Sequence, residues 1–148
     1  MRFGILGPLA VGQGDTVVEI RRGMPRTLLI ALLVRAWSNE MAEARQARSQ
    51  DDASGEWRHL ERAHILSQPL AIPHLRTHAA MLGAARRSGD RREVGGQLWR
   101  LALAGPGSLS GRYPPGNTGG ANVSAFMPMP IPEDLRSILE DEPQEAVE

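Results

Sequence analysis

Two adjoining segments, GEWRHLERAHILSQP and PHLRTHAAML, place titratable side chains where a helix would put its core. At about 100° per residue, a helix through the first sets Trp57, Leu60, Glu61, His64 and Ile65 on one face, with Arg58, His59 and Arg62 opposite. The same count groups His74 and His78 with Met81, Leu82 and Ala85, away from Arg76, Arg86 and Arg87. Only SQPLAIP separates the two, so they are expected as antiparallel neighbours. His64 then lies about one turn before the connection and His74 just after it, with Glu61 and His78 about one turn further out. Four side chains are therefore expected to meet at matching heights. One carboxylate and three imidazoles persist in a core only when they satisfy one another or hold an ion. His59, on the far side, is expected to be solvated.

The rest of the chain is punctuated like a helical array. Pro25 suits the first turn of a helix from about Arg26 to Arg48; Asp51, Asp52 and Ser54 offer N-caps for the helix carrying Trp57, which ends before Pro69. Pro73 suits the start of the next helix, Gly89 its stop, and Asp90 the cap of a fourth through Ala104, with Val94, Leu98 and Leu101 on one face. AHILSQP and RLALAGP close two helix pairs at an offset of 37 residues, close to the roughly 34-residue period of tetratricopeptide helix pairs. Before these helices, alternation in FGILGPLAV and TVVEI around GQGD predicts a β-hairpin over residues 3 to 20. After them, residues 105 to 132 are dense in Gly and Pro and predict a long wrapping loop pinned by Phe126, Met127, Met129 and Ile131. Pro132, Glu133 and Asp134 open a short helix, DLRSILE. The expected fold is thus mainly α, antiparallel helical hairpins with a small N-terminal β-hairpin and a long C-terminal Gly/Pro-rich loop. Three parts are expected: residues 1–36, a hairpin and helix start; 37–140, the helical domain; and 141–148, a disordered acidic tail.

Composition removes several classes of function. The 148 residues are 41% hydrophobic, enough for one core, and seventeen acidic residues balance seventeen basic ones, all Arg. No net field draws the chain to nucleic acid or an anionic membrane, so no specific nucleic-acid binding and no membrane association are expected. Cysteine is absent, which leaves any metal to nitrogen and oxygen ligands. LLIALLV falls well short of the ~20 apolar residues of a membrane span, and the N-terminus lacks the signature of a signal peptide. A cytoplasmic location is expected.

WRHLERAHILSQP, PHLRTHAAML, EVGGQLWRLALAGPGS and GRYPPGNTGGANVSAFMPMPIPEDL resemble the bacterial family of domain of unknown function 3703, over roughly residues 37 to 140. That resemblance implies a small, mainly helical cytosolic protein and supplies no activity. MRFGILGPLAV, VVEI and PRTLLIALLVRA are similar to the opening of the winged-helix domain of actinobacterial antibiotic-pathway regulators. Such domains read DNA with a later helix; here the chain passes straight into WSNEMAEARQ, so the DNA-reading half is missing.

Several chemistries compete for these residues. Glu61, His64, His74 and His78 match the N/O ligand sets of zinc or non-haem iron, with Glu40 as the one plausible addition toward a di-iron site. The same four can instead form a hydrogen-bonded core network. Catalysis would require a metal-bound water activated by Glu61, and the chain is expected not to be an enzyme. In the loop, Gly116, Gly119 and Gly120 with Arg112, Tyr113, Asn117 and Thr118 offer an anion or partner site. The leading expectation is a metal-binding or metal-handling module. The alternative is a helical scaffold for an unknown protein partner, with oligomerisation possible through the apolar N-terminal helix, whose run at 28–34 is expected to pack on the hairpin or on another chain.

Overall fold

The structure, a computed structural model, describes residues 10–13, 16–19, 26–110 and 113–140. Among these the chain is mainly helical: α1 (Arg26–Ser49), α2 (Ala53–Ser67), α3 (Ala71–Ser88), α4 (Arg91–Ser110) and α5 (Glu133–Glu140). Residues β1 (Ala10–Gln13) and β2 (Thr16–Glu19) lie side by side and antiparallel, Val11 opposite Val18. Most of the expected hairpin over 3–20, its turn included, lies outside the described residues, as do Arg112 and the tail at 141–148.

Helix α1 packs along α2 and α3 along α4, and α2 faces α3. The two hairpin turns use one device. Asp51 takes the left-handed region at φ 57°, and the Asp52 amide donates back to the Ala47 carbonyl at 2.9 Å. Gly89 does the same at φ 73°, with the Asp90 amide on the Ala85 carbonyl at 3.0 Å. These bonds consume the orphan carbonyls of the ending helix. Each following aspartate then caps the next helix: Asp52 accepts from the Gly55 amide at 2.8 Å, and Asp90 from the Glu93 amide at 2.9 Å. Because the chain reverses within a few residues, each pair must be antiparallel. Helix α3 starts at Ala71, two residues before Pro73, which sits in the first turn where its missing N–H has no intrahelical partner to lose.

The larger apolar cluster joins Leu29 and Leu33 of α1 to Ile65, Leu66 and Leu70, and to Ile131, Leu135 and Leu139 around α5. The inner side of the apolar run at 28–34, Leu29 and Leu33, thus packs on α2 and α5, while Leu28 and Val34 stay exposed. A smaller cluster of Ala44, Leu60, Met81 and Ala84 lies across the middle of the bundle, with Met41 and Trp57 against it. Arg62 ties α1 to α5 by donating to Glu40 (2.8 Å) and to Asp134.

Helix α4 is longer than expected. It continues to Ser110, past Gly105 and Pro106, rather than ending at Ala104. A proline removes one backbone donor, and with a single turn left to run that loss does not stop the helix. Its buried face is Glu93, Gln97, Arg100 and Ala104, whereas Leu98 is 50% exposed and Trp99 66%. Of the apolar face of Val94, Leu98 and Leu101, Leu98 is exposed and the other two are half-buried. The element packed on the buried face is the loop at 113–132, whose backbone amides and carbonyls require polar partners. Arg100 donates to the carbonyls of Gly119 (2.9 Å), Gly120 (2.6 Å) and Val123 (2.6 Å), and the Glu93 carboxylate accepts from the Ala121 amide at 2.9 Å.

Candidate metal centre

His64 stands in the last turn of α2, and His74 and His78 one turn apart near the start of α3; residues 68–70 are all that separates the helices. That spacing brings the three rings together, with centroids 4.7, 4.7 and 4.8 Å apart. All three are buried. Nε2 of His64 lies 2.9 Å from Nε2 of His74 and 3.2 Å from Nε2 of His78. The three residues form a group able to present one ligand atom each within 4.8 Å of one another.

The outer nitrogens fix the tautomers. Nδ1 of His64 is 2.7 Å from the Asn117 carbonyl, which can only accept, so Nδ1 carries the proton. Nδ1 of His78 is 2.7 Å from Oε1 of Gln97. The Gln97 amide nitrogen donates to Glu93 (2.6 Å) and to the Gly119 carbonyl (2.9 Å), so Oε1 is the atom that faces His78 and Nδ1 again donates. Both Nε2 atoms therefore turn lone pairs inward. His74 can lend one proton to His64 across the 2.9 Å contact, and the facing lone pairs of His64 and His78 at 3.2 Å then share none. Protonating a ring is opposed by its surroundings: burial first, then the neighbouring imidazoles, hold His64 well below the ordinary 6.5 and His74 at about 3. Burial holds His78 at about 4.

Glu61 does not join the three imidazoles. Its carboxylate accepts from the Trp57 indole at 3.1 Å and bonds the Thr118 side chain, and burial raises its pKa. It shares the apolar stripe, but a carboxylate on a short stem is taken by the tryptophan one turn earlier. Glu40 is engaged elsewhere too, by Arg62 and by His59, whose Nδ1 donates to it at 2.7 Å. His59 is thus half-buried and partnered rather than solvated. The di-iron extension has no second carboxylate to use.

The loop serves the site as a frame. Asn117 is 2% exposed; its amide donates to the carbonyls of Ser124 and Met127, both at 2.8 Å, and its Oδ1 accepts from the Gly119 amide at 3.0 Å. The Gly119 amide is filled by Asn117 and the Ala121 amide by Glu93, so the carboxylate held here is the protein's own. Phe126 and Met127, expected to pin the loop, are exposed at 81% and 46%, and Ile131 is the buried anchor. Tyr113 is half-buried, with its phenol pushed up to about 12 by burial. Sequence reasoning missed Gln97, Glu93 and Arg100. Their spacing of four and three on α4 was the available signal, hidden because a charged stripe ordinarily reads as a solvated face.

Two cavities frame the chemistry. One, of about 90 Å³, has His64, His74 and His78 in its wall beside Arg100 and Tyr113. A larger cleft of about 590 Å³, bordered by Arg48, Trp57, Arg87 and Glu93, contains none of the imidazoles. Volume alone would favour the second; the converging lone pairs lie at the first. No helix among the described residues is long and apolar enough to cross a membrane.

No curated protein and no solved structure matches the chain. The helices that carry the three histidines, the loop that holds His64 and all but the last residue of the short closing helix fall within residues 31–139, which match the family described as Protein of unknown function (DUF3703). The chain belongs to that family.

Proposed function

We propose that the protein is a metal-binding module that holds a divalent transition-metal ion through Nε2 of His64, His74 and His78. The observation that carries this reading is the pair of inward lone pairs on His64 and His78, each fixed by an acceptor on the opposite ring nitrogen. Acceptors bonded to the far nitrogen of the ring are how proteins orient imidazole ligands. A pure hydrogen-bond network would leave one N···N contact without a proton. Ligand bonds of about 2.0–2.1 Å in a tetrahedron set nitrogens about 3.3 Å apart; the 2.9 and 3.2 Å pairs would open slightly, and the three donor atoms together already lie within 4.8 Å of one another. With Glu61 elsewhere the donors are all nitrogen. That set suits zinc with an open fourth position better than the two-histidine, one-carboxylate set of non-haem iron.

Metal content measured on protein purified without a nickel column tests the reading, together with zinc titration of the apo form. About one ion per chain in the wild type, lost in His74→Ala and in His78→Ala, is the expected result. A wild type that takes up no zinc, cobalt or iron would sink it.

The scaffold alternative draws on a separate observation, the outward Leu98, Trp99 and Leu103 of α4. A protein partner seated on that face would protect these residues from solvent without disturbing the imidazoles. Hydrogen exchange on α4 in the presence of a candidate partner would read it.

A further inference from the structure

The three donors are neutral and Glu61 bonds Trp57, so a divalent ion held here would keep its full charge. The pocket into which the imidazoles open holds a further cation, Arg100, and among the described residues no acidic side chain lines it. Arg100 is not a swinging side chain. Nε and Nη2 are fixed on the carbonyls of Gly119, Gly120 and Val123, and Nη1 takes no part in those contacts. The rest of the wall is mixed, with Gln68, Tyr113 and Asn117 beside Leu103, Ala104 and Phe126. At about 90 Å³, the space equals about three water volumes.

We infer that this pocket binds a small oxyanion, of the size of formate, acetate or carbonate, which completes the metal's coordination on one side and meets the fixed guanidinium on the other. The inference rests on the metal reading above. A dication without a charged protein ligand, next to a fixed guanidinium in a partly desolvated pocket, has a strong electrostatic preference for an anion over water. Two or three heavy atoms beyond the donor oxygen fit within the space, whereas an aromatic carboxylate would have to project through its open side past the exposed Phe126. Glu93, two turns earlier on the same face of α4, hydrogen-bonds Gln97 and Ala121 and offsets part of the Arg100 charge from outside the space, so a bound dication would leave the pocket with a net positive charge.

The test uses the full chain loaded with cobalt(II), whose visible spectrum reports its ligands, titrated with acetate and with benzoate. Saturable spectral change with acetate and none with benzoate is expected. Leu103→Trp, which fills the pocket from its 38% exposed rim, should retain cobalt and bind acetate about tenfold or more weakly, a loss of about 1.4 kcal/mol. A cobalt-loaded wild type whose spectrum ignores acetate, or answers benzoate equally, overturns the pocket assignment and leaves the metal site standing. Failure to load cobalt at all overturns both. The acetate and benzoate comparison is made on the wild type, so it decides the question even if Leu103→Trp does not fold.

Discussion

The His78 imidazole donates to Oε1 of Gln97 at 2.7 Å, and Gln97 in turn spends its amide nitrogen on Glu93 and on the Gly119 carbonyl. One glutamine thereby orients a ligand ring, a carboxylate and the loop. Gln97→Leu keeps the volume and removes all three bonds. Apo protein should lose about 1–3 kcal/mol, the cost of leaving buried partners unsatisfied, and zinc affinity should fall about 10–100-fold, as for other acceptors behind a histidine ligand. Urea unfolding and zinc titration read the two separately. A stability loss with unchanged affinity would make Gln97 a structural residue only.

Acid should unfold the apo protein earlier than its carboxylates alone would. His74 is held at about 3 and His78 at about 4, chiefly by burial, against 6.5 when unfolded. Between these values the unfolded chain binds protons that the folded chain does not, so stability rises with pH. It is complete above about pH 6.5 and is lost as pH falls toward 4 and 3, by about 1 kcal/mol per pH unit for each ring. Urea midpoints at pH 7, 5.5 and 4.5 should decline in that order. Equal midpoints would mean that the rings are not buried in their neutral form.

The parts of this fold written in local chemistry could be read from the chain. Asp52, Gly89 and Asp90 announce helix ends because caps act through residues three or four apart. The pairing of His64 with His74 and His78 followed from helical spacing and a short connector. What could not be read was set by non-local partners. Whether Glu61 turns toward the imidazoles or toward Trp57 depends on Thr118, which lies 57 positions away. The polar face of α4 is buried because a loop covers it, and no periodicity in α4 encodes that loop.

Gly119 touches the site most closely. Its φ is 81°, and a Cβ there would stand 2.6–2.8 Å from the His64 ring. Gly89 has nearly the same φ, 73°, with nothing within 4 Å. Gly89→Ala should therefore cost only the backbone term, about 1–2 kcal/mol, and leave zinc affinity alone. Gly119→Ala should cost more, because a buried ring must move, and should weaken zinc binding. Equal losses and equal affinities in the two variants would show that the close approach to His64 does not matter.

His59→Ala separates the two kinds of histidine in this chain. His59 shares Glu40 with Arg62 at a half-exposed position, so its loss should cost at most about 1 kcal/mol. Zinc uptake should be that of the wild type. A drop in metal content would place His59 in the ligand set against its bond to Glu40.

Where the folding unit begins can be decided by two truncations. Leu29 and Leu33 are 3% and 1% exposed, and they cover Ile65 and Leu66 on one side and Leu135 and Leu139 on the other. Removing residues 1–24 leaves α1 whole, so the remaining chain should keep its helical circular dichroism and its zinc uptake. Removing residues 1–36 strips both leucines, and each buried leucine deleted from a core costs about 2–5 kcal/mol. Loss of the pair approaches the whole stability of a domain of this size, about 5–15 kcal/mol. The shorter truncation should melt cooperatively near the wild type, and the longer one should be unfolded or bind a hydrophobic dye. A cooperative, metal-binding fragment of residues 37–148 would instead put the boundary at Trp37 and make the first three turns of α1 an appendage.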